Sequence, residues 1–429
     1  MTLKELKISK LDELFSLELT IPSYQRPYRW SKKSTNMLFQ DTYQAFQDGL
    51  EEYRIGSVIL HKENENYNIV DGQQRLTTLS ILLYCLGDKN SKLLKQTYNP
   101  LSNQAIVINY EILSNRIREL SKDELEKYKD YLLHHCTVVQ IVTDNEQEAF
   151  QFFDSQNSRG KPLKPHDLLK SYHLREMNQV DETRKAQIIN QWENIKEDDL
   201  DELFKNYLYP LTHWYKGKSG LKYASNKIDI FKGIKSNNVY NYAIYHKASH
   251  LFVEQFNSNG SNELIGSNKL NEFQLNQPVL AGTRFFHYTY HYQDLLHQIQ
   301  KINKQQDIQL PKKRTGDVYI KQLYECVLMF FADRFGMESL TEMAIKTFYT
   351  WCYSLRLVME AVYLETIDNY ARKGHDRVNN GLNMFQEIAE MNGPEEIKLI
   401  VLEKPTVIEK NKEKYKDIYN KLWEWNGWK

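Results

Sequence analysis

The segment from Tyr67 to Thr78 constrains the fold more than any other part of the sequence. It reads YNIVDGQQRLTT, in which a short apolar stretch runs into Asp71-Gly72 and then into a helical pattern that ends at Gly87. Glycine permits the backbone of a tight turn, and the leucines that follow recur at helical spacing. The segment therefore predicts a strand, a tight turn and the N-terminus of a helix.

The first turn of this predicted helix is suited to an anion. Helix N-termini carry unpaired N–H groups and a partial positive charge, and Arg75 adds a planar guanidinium that fits phosphate. If the chain handles a nucleotide, we expect the triphosphate to lie here. The alternative is a purely structural D-x-x-Q helix cap formed by Asp71 and Gln74. The run by itself leaves both interpretations open.

Composition and charge narrow the class of protein. The chain has 429 residues, enough for two or three domains, and Lys+Arg and Asp+Glu balance at 56 each. No overall field therefore attracts nucleic acid, so any contact with DNA requires a local patch or a partner. The four cysteines lack disulfide or metal-site spacing. With no signal peptide and no apolar stretch near the length of a membrane span, we expect a cytoplasmic protein with buried thiols.

The chain up to Val180 is predicted to be mixed α/β, and the rest almost wholly helical. The early elements are an extended segment with Pro22 and Pro27, a helix after Ser31, a hairpin over 54–70, helices near 108–120 and 122–135, a buried strand over 137–142, and helices over 145–154 and after Pro165. The predicted domains are residues 1–178, a helical connecting region over 179–265 that ends in a polar linker over 257–268, and a helical domain over 266–429.

Three polar clusters occur in this mixed α/β part, each where an apolar element meets a loop. They are Gln25-Arg26 with Tyr28 and Trp30, the turn from Asp71 to Arg75, and Asn157–Gly160 followed by Asp167 and Lys170. Guanidiniums, amides and an aromatic pair suit a base, a ribose and phosphates. The structural alternatives are salt bridges for Arg26 and Arg159, and core packing for Tyr28 and Trp30.

The three clusters together resemble a known family. The motifs IPSYQRPYRW, IVDGQQRLTTL and FFDSQNSRGKPLKPHDLLK, in this order, resemble the N-terminal domain of the GmrSD-type modification-dependent restriction enzymes, which is related to ParB-like domains. The resemblance covers about residues 5–178. It implies an α+β domain, with a small mixed sheet and helices, that binds and hydrolyses a nucleoside triphosphate with Mg²⁺.

The resemblance also implies the residues of the site. Nucleotide contacts are expected from Gln25, Arg26, Tyr28, Gly72, Gln73, Arg75, Asn157, Arg159 and Gly160, and catalytic roles from Asp71, Gln74 and Arg75. The arginines would hold phosphates, and Gln73 and Gln74 would position phosphate or water. Asp71 would hold Mg²⁺ or orient the attacking water.

The chain departs from many relatives of that family, which continue into a His-Asn-His nuclease domain. The nearest candidate here, His375 in HDRVNN, lacks a second histidine at ligand spacing and is interpreted as a surface loop. His166 and His173 lie seven residues apart on one helical face beside Asp167, where a supporting role is open.

The predicted function is therefore that of an NTPase subunit of a bacterial anti-phage restriction system. It would act on foreign DNA, including modified DNA, with cleavage by a separate nuclease subunit and with homo-oligomers compatible with the pattern. Two alternatives remain. One is a nuclease that uses the Asp71 cluster and Mg²⁺ directly on DNA, and the other is a nucleotide-binding regulatory module without hydrolysis.

Overall fold

A computed structural model describes most of the chain, namely residues 3–22, 25, 27–89, 91–98, 100–145, 148–149, 152, 164–177, 180–259, 270–305 and 314–429. The chain divides into two compact units, of which the first comprises Met1–Leu163 with Met177–Asn194 and the second comprises Lys164–Glu176 with Ile195–Lys429. The domain boundaries expected at 178 and 265 stay predictions.

The first unit is built on a five-stranded mixed sheet in the order β1-β5-β3-β4-β2. Its strands are β1 (Leu3–Lys10), β2 (Leu19–Thr20), β3 (Tyr53–Glu63), β4 (Asn66–Asp71) and β5 (Cys136–Thr143). The pairs β1–β5 and β3–β4 are antiparallel, while β3–β5 and β2–β4 are parallel. The predicted α+β class with a small mixed sheet is confirmed.

Helices cover this sheet, and they are numbered here together with those of the second unit. The first unit contains α1 (Leu11–Ser16), α2 (Lys32–Gln47), α3 (Gln73–Cys85), a 3₁₀ turn (Leu93–Lys95), α4 (Pro100–Arg118), α5 (Lys122–His134) and, after α6 (Pro165–Arg175) of the second unit, α7 (Glu182–Asn194). Leu76, Leu79 and Leu83 of α3 are buried in one core with Val58 and Leu60 of β3. Packing of α3 against the sheet therefore fixes the position of its N-terminus.

The second unit is mainly helical, as predicted. Beside α6 it contains α8 (Glu197–Glu202), a π-helical segment (Leu203–Leu208), α9 (Tyr209–Trp214), α10 (Asp229–Lys232), α11 (Asn241–Asn259), α12 (Thr283–Gln305), α13 (Thr315–Phe335), α14 (Glu342–Val358), α15 (Leu364–Lys373), α16 (Met384–Glu390), α17 (Glu409–Lys414) and α18 (Lys416–Asn426), with 3₁₀ turns at Ser225–Lys227, Met337–Ser339, Asn379–Gly381 and Pro394–Leu399. Among the described residues, no helix has both the length and the apolar character needed to cross a bilayer.

Two helix boundaries differ from the sequence prediction. Helix α4 begins at Pro100 instead of near residue 108, because proline fits the first helical position. Asn257, expected in a polar linker, lies in α11, where its side chain exchanges two hydrogen bonds with the backbone of Leu270 at 2.8 and 2.9 Å. Residues 260–269 of that stretch lie outside the described part of the chain.

Asp333 on α13 gives the second unit a pH-dependent stability. Its carboxylate accepts hydrogen bonds from the Tyr292 hydroxyl at 2.6 Å and from the Leu275 backbone N–H at 2.8 Å, yet burial raises the pKa of Asp333 to about 7. Because an unfolded carboxyl titrates near 3.8, the folded chain binds more protons than the unfolded chain between these two values. The contribution of Asp333 to stability is therefore largest below pH 4 and is lost as the pH rises to 7.

We expect the free energy of unfolding to fall by about 4 kcal/mol from this group alone between pH 4 and pH 7. Urea denaturation at several pH values measures the fall, and Asp333→Asn removes the titrating group. Asp294→Asn, on the exposed surface of α12 beside Gln298, is the control and should keep the wild-type slope. Parallel pH profiles for the wild type and Asp333→Asn would show that the carboxyl does not titrate in this range.

Candidate functional site

The predicted strand, turn and helix are present at the junction of β4 and α3. Gly72 lies between them with φ of +97°, and its carbonyl accepts the first helical hydrogen bond, from the Leu76 N–H at 2.9 Å. The positive φ is a conformation that residues with a side chain rarely adopt, and a Cβ at this position would lie in a tight contact 3.1 Å from Val58 Cγ2. The N-cap of α3 is thus a residue without a side chain.

The D-x-x-Q cap expected as the structural alternative is not formed with Asp71 as the N-cap, because Gly72 occupies that position. Asp71 still belongs to β4, where it pairs with Ile59 of β3, so it stands one residue too early to be the N-cap. The Gln74 side-chain amide instead forms hydrogen bonds with the backbone of Pro27 and Arg29 in the extended segment. The first turn of α3 therefore receives no side-chain cap from its N-cap residue, and a helix N-terminus of this kind is where anions commonly bind.

Arg75 is held beside this helix end by the backbone of β3. The pairing of β3 with β5 is irregular between Arg54 and Gly56, as in a β-bulge. The Arg75 guanidinium spans this irregularity, donating from Nη1 to the Ile55 carbonyl at 3.3 Å and from Nη2 to the Ser57 carbonyl at 2.7 Å. Its Nη2 also lies 3.7 Å from Asp71 Oδ2, and about a quarter of the side chain is exposed. The guanidinium is therefore fixed before any ligand arrives.

Gly56 provides the space for that guanidinium. Its φ is +138°, and a Cβ built on it would lie 2.0 Å from Arg75 Nη1. Gly56→Ala should therefore expel the guanidinium from the two carbonyls and destabilise the unit by about 1–3 kcal/mol, measured by urea denaturation. Gly49→Ala is the matched control, because Gly49 has φ of +64° with open space around it. Equal losses in the two variants would mean that only the backbone conformation matters at Gly56.

Gln25 is attached to the end of β4, just before Asp71. The β3–β4 register is irregular here, because Ile59 pairs with Asp71 while the next residue of β3 pairs with Ile69. The Gln25 Nε2 donates to the Ile69 carbonyl at 2.9 Å and to the Val70 carbonyl at 2.8 Å. The first polar cluster is thereby tied to the second.

Gln74 makes the complementary connection from α3. Its Oε1 accepts from the Arg29 backbone N–H at 2.9 Å, and its Nε2 donates to the Pro27 carbonyl at 3.2 Å. Gln73 is also buried, with its Oε1 3.4 Å from Gln74 Nε2. Both amides thus lie at the helix end as predicted, and Gln74 holds the extended segment against it. The catalytic role expected of Gln74 stays a prediction.

Tyr28 supports the site from within the core. It is fully buried, with its hydroxyl 2.8 Å from Thr78 Oγ1 and accepting from Asn109 Nδ2 at 2.9 Å, and burial raises the pKa of Tyr28. Trp30 is half-buried against the same core. Tyr28 is therefore packed in the core, as the structural alternative stated. Because Tyr28 is fully buried, none of its atoms is exposed for the expected contact with a nucleotide.

Four predicted site residues cannot be placed. Arg26, Asn157, Arg159 and Gly160 lie outside the described residues. Asp167 and Lys170, at the end of the third motif, lie on α6 in the second unit. The structure thus brings together Gln25, the turn from Asp71 to Arg75, and the segment around Pro27.

Sequence reasoning missed the residues that support these groups, chiefly Gly56 and Asn109. A signal for Gly56 existed, because a lone glycine within a strand pattern indicates a bulge or a close approach. The Asn109 side chain donates to the Tyr28 hydroxyl and to the Trp30 carbonyl, both at 2.9 Å. Asn109 is far along the chain from both partners, so no local pattern could have indicated this contact.

Asp71 is one carboxylate and does not form a metal site by itself. Within the described part of the chain it is not among any three close His, Cys, Asp or Glu side chains. Mg²⁺ commonly uses one or two carboxylates together with phosphate oxygens and water. The residues present therefore suit Mg²⁺ only when a phosphate shares it.

His375 lies in a tight turn between α15 and α16. Its Nδ1 accepts from the Arg377 backbone N–H at 3.2 Å, and a single bridge joins His375 to Val378. Gly374 and Gly381 on either side have positive φ. This agrees with the predicted surface loop.

Comparison with known families defines the class of protein. Residues 7–174 match the model of the GmrSD restriction endonuclease N-terminal domain, which confirms the predicted resemblance. Residues 184–417 match a family of unknown function, DUF7834, and this match covers more than half of the chain. The chain therefore belongs to the DUF7834 family and carries a GmrSD-type N-terminal domain. No curated protein matches it.

Proposed function

We propose that the chain binds a nucleoside triphosphate at the junction of β4 and α3, hydrolyses it with Mg²⁺, and thereby regulates restriction of foreign DNA. The observation that carries the proposal is the helix end at Gly72 with the Arg75 guanidinium fixed beside it. Backbone N–H groups at a helix N-terminus and an arginine are both donors suited to phosphate oxygens.

The roles of the residues follow from their positions. Backbone N–H groups of the first turn of α3 would receive the phosphates, and Arg75 would neutralise charge as it develops on them. Asp71, 3.7 Å from Arg75, would share Mg²⁺ with the phosphates or orient water. Gln25 and Gln74 would hold the extended segment against β4 and α3, because the Gln25 amide bonds to the backbone of β4 and the Gln74 amide bonds to the backbone of the segment.

The restriction context rests on the GmrSD match. That family model describes a restriction endonuclease domain, and we propose that this chain serves a restriction system in which a partner chain cuts the DNA. The balance of 56 basic and 56 acidic residues supports indirect or locally limited contact with DNA, since phosphate neutralisation supplies most autonomous affinity. A cytoplasmic location and a homo-oligomer are compatible with this role.

Phosphate release tests the proposed hydrolysis. Purified protein with Mg²⁺ is incubated with ATP, GTP, CTP and UTP separately, and inorganic phosphate is measured. Release above background from at least one nucleotide is expected, with loss in Asp71→Asn. Saturable binding without release would instead identify a regulatory module that does not hydrolyse.

The rival nuclease function is tested with plasmid DNA and Mg²⁺ in the absence of nucleotide and partner. We expect the plasmid to remain supercoiled. Nicking by the wild type that is lost in Asp71→Asn would overturn the proposed regulatory role and would assign the cutting to this chain.

A further inference from the structure

The first turns of α6 and α8 bring an imidazole and two carboxylates together in the second unit. A ring nitrogen of His166 and carboxylate oxygens of Asp167 and Glu197 all lie within 4.8 Å of one another. Among the described residues, this is the one such group of three or more side chains that suit a metal ion. It is formed within one compact unit, from helices whose positions are set by the fold.

His166 carries an unsatisfied buried nitrogen. The residue is 2% exposed, and its Nε2 is buried without a hydrogen-bond partner among the described residues. A buried polar atom without a partner costs free energy, and a metal ion bound to this nitrogen would remove that cost.

The surrounding charge is mainly negative. Helix α8 reads EDDLDE, so four further acidic side chains stand on the same short helix as Glu197. Lys164 contacts these acids, with Nζ 2.9 Å from Glu197 Oε1 and 3.8 Å from Asp198 Oδ1. The carboxylates of Asp167, Glu197 and the other acids of α8 would attract a divalent cation.

We propose that His166, Asp167 and Glu197 bind one divalent first-row transition-metal ion such as Zn²⁺ or Mn²⁺. An imidazole with two carboxylates is a donor set typical of these ions, whereas Mg²⁺ and Ca²⁺ prefer oxygen ligands alone. Three protein ligands leave coordination positions for water, as in sites that keep an open position.

A small movement of Glu197 would complete the geometry. Two ligands of one Zn²⁺ ion can be no more than about 4.2 Å apart, which is twice a bond of about 2.1 Å. The separations of up to 4.8 Å must therefore shorten. The Glu197 side chain is 63% exposed and can rotate, while His166 is fixed by burial. Lys164 must release one carboxylate oxygen, so the ammonium and the metal ion compete.

This site differs from the Mg²⁺ position proposed at Asp71. His166 and Asp167 lie at the end of the third motif, and Glu197 comes from the region after it. The proposal does not rest on nucleotide binding. It can hold or fail independently of the NTPase function.

The test uses untagged full-length protein that has been treated with a chelator and dialysed. Co²⁺ is added alone, followed by visible absorption, and Zn²⁺ affinity is measured by competition with a chromophoric chelator. We expect one ion per chain, with affinity reduced at least about tenfold in His166→Gln and in Glu197→Gln. Lys164→Met should increase the affinity, because it removes the competing ammonium.

Two matched variants separate a built site from general negative charge. Asp198→Asn removes a carboxylate that is 99% exposed on the same helix, and His375→Gln removes a histidine in a surface turn. Both should bind Co²⁺ like the wild type, and circular dichroism should show that all variants are folded. Absence of stoichiometric binding to the wild type, or equal binding by His166→Gln, would overturn the proposal.

Discussion

Replacing Arg75 with alanine is expected to weaken nucleotide binding about 10- to 100-fold, since hydrogen bonds to charged groups contribute about 1.5–3 kcal/mol. The structure holds the Arg75 guanidinium beside the N-terminus of α3 through the carbonyls of Ile55 and Ser57. A ligand that uses it therefore does not have to order a long side chain. Isothermal titration of the Mg²⁺–nucleotide complex into wild type and variant measures the difference.

Arg54→Ala is the matched control for this prediction. Arg54 lies on β3, the strand whose Ile55 and Ser57 carbonyls hold Arg75. Its side chain is about half exposed, and its Nη2 lies 3.2 Å from Glu52 Oε1. Its loss removes the same charge and should leave affinity unchanged. Arg75→Lys should recover only part of the affinity, because an ammonium cannot span two carbonyls and a phosphate with a planar fork. Equal affinities in wild type and Arg75→Ala would remove Arg75 from the site.

Replacing Arg356 with methionine is expected to destabilise the second unit by about 3–5 kcal/mol, because it leaves a buried carboxylate without its cation. Arg356 on α14 donates from Nη2 to Asp317 Oδ1 on α13, and the two side chains are only 4% and 2% exposed. The guanidinium also lies over the Tyr415 ring, 5.1 Å from its centroid. Urea denaturation of the full chain measures the loss.

The double variant Asp317→Leu with Arg356→Met distinguishes the ion pair from packing. It buries no unpaired charge, so most of the lost stability should return. A small loss should remain, since Asp317 also accepts from the Arg314 backbone N–H at 3.3 Å. Arg377→Met, in the surface turn after α15, is the control and should be neutral. A double variant as unstable as Arg356→Met would mean that packing of the arginine stem dominates.

Local sequence patterns predicted much of the first unit, because capping and terminating residues mark the ends of several of its helices. Ser31 accepts from the Ser34 N–H at 3.3 Å at the start of α2, and Ser121 with Glu124 forms a complete capping box on α5. Gly87, with φ of +91°, likewise predicted the end of α3. Each of these signals depends on residues that are close together in the sequence.

The edge strand β1 was not predicted, and the burial of its residues does not follow their polarity as in a half-buried strand. Leu6 and Ile8 are 60% and 53% exposed, while Ser9 is fully buried and bonded to Gln140 of β5 at 2.8 Å. In this strand the polar Ser9 thus faces inwards, while the apolar Leu6 and Ile8 face outwards. Only the partner strand, which is distant in the sequence, determines that arrangement.

The sequence predicted which functional groups lie at the candidate site, but not the contacts that hold them in place. The sequence indicated the glycine turn and the helix end, together with the amides and the arginine around them. It could not indicate that Arg75 would lie across a bulge of β3, or that Gln74 would bond to Pro27 and Arg29. These contacts depend on how strands and the extended segment come together in three dimensions. They explain how Gln74 can lie at the N-terminus of α3 and also hold the extended segment.

Saturation binding to the wild-type chain tests the central claim most directly. The protein is dialysed to equilibrium against radiolabelled ATP, GTP, CTP and UTP separately, with Mg²⁺ and with or without inorganic tripolyphosphate. We predict saturable binding of at least one nucleotide, displaced by tripolyphosphate because the helix end and Arg75 recognise phosphates. Absence of saturable binding for all four nucleotides would contradict the assignment of the β4–α3 junction as a nucleotide site.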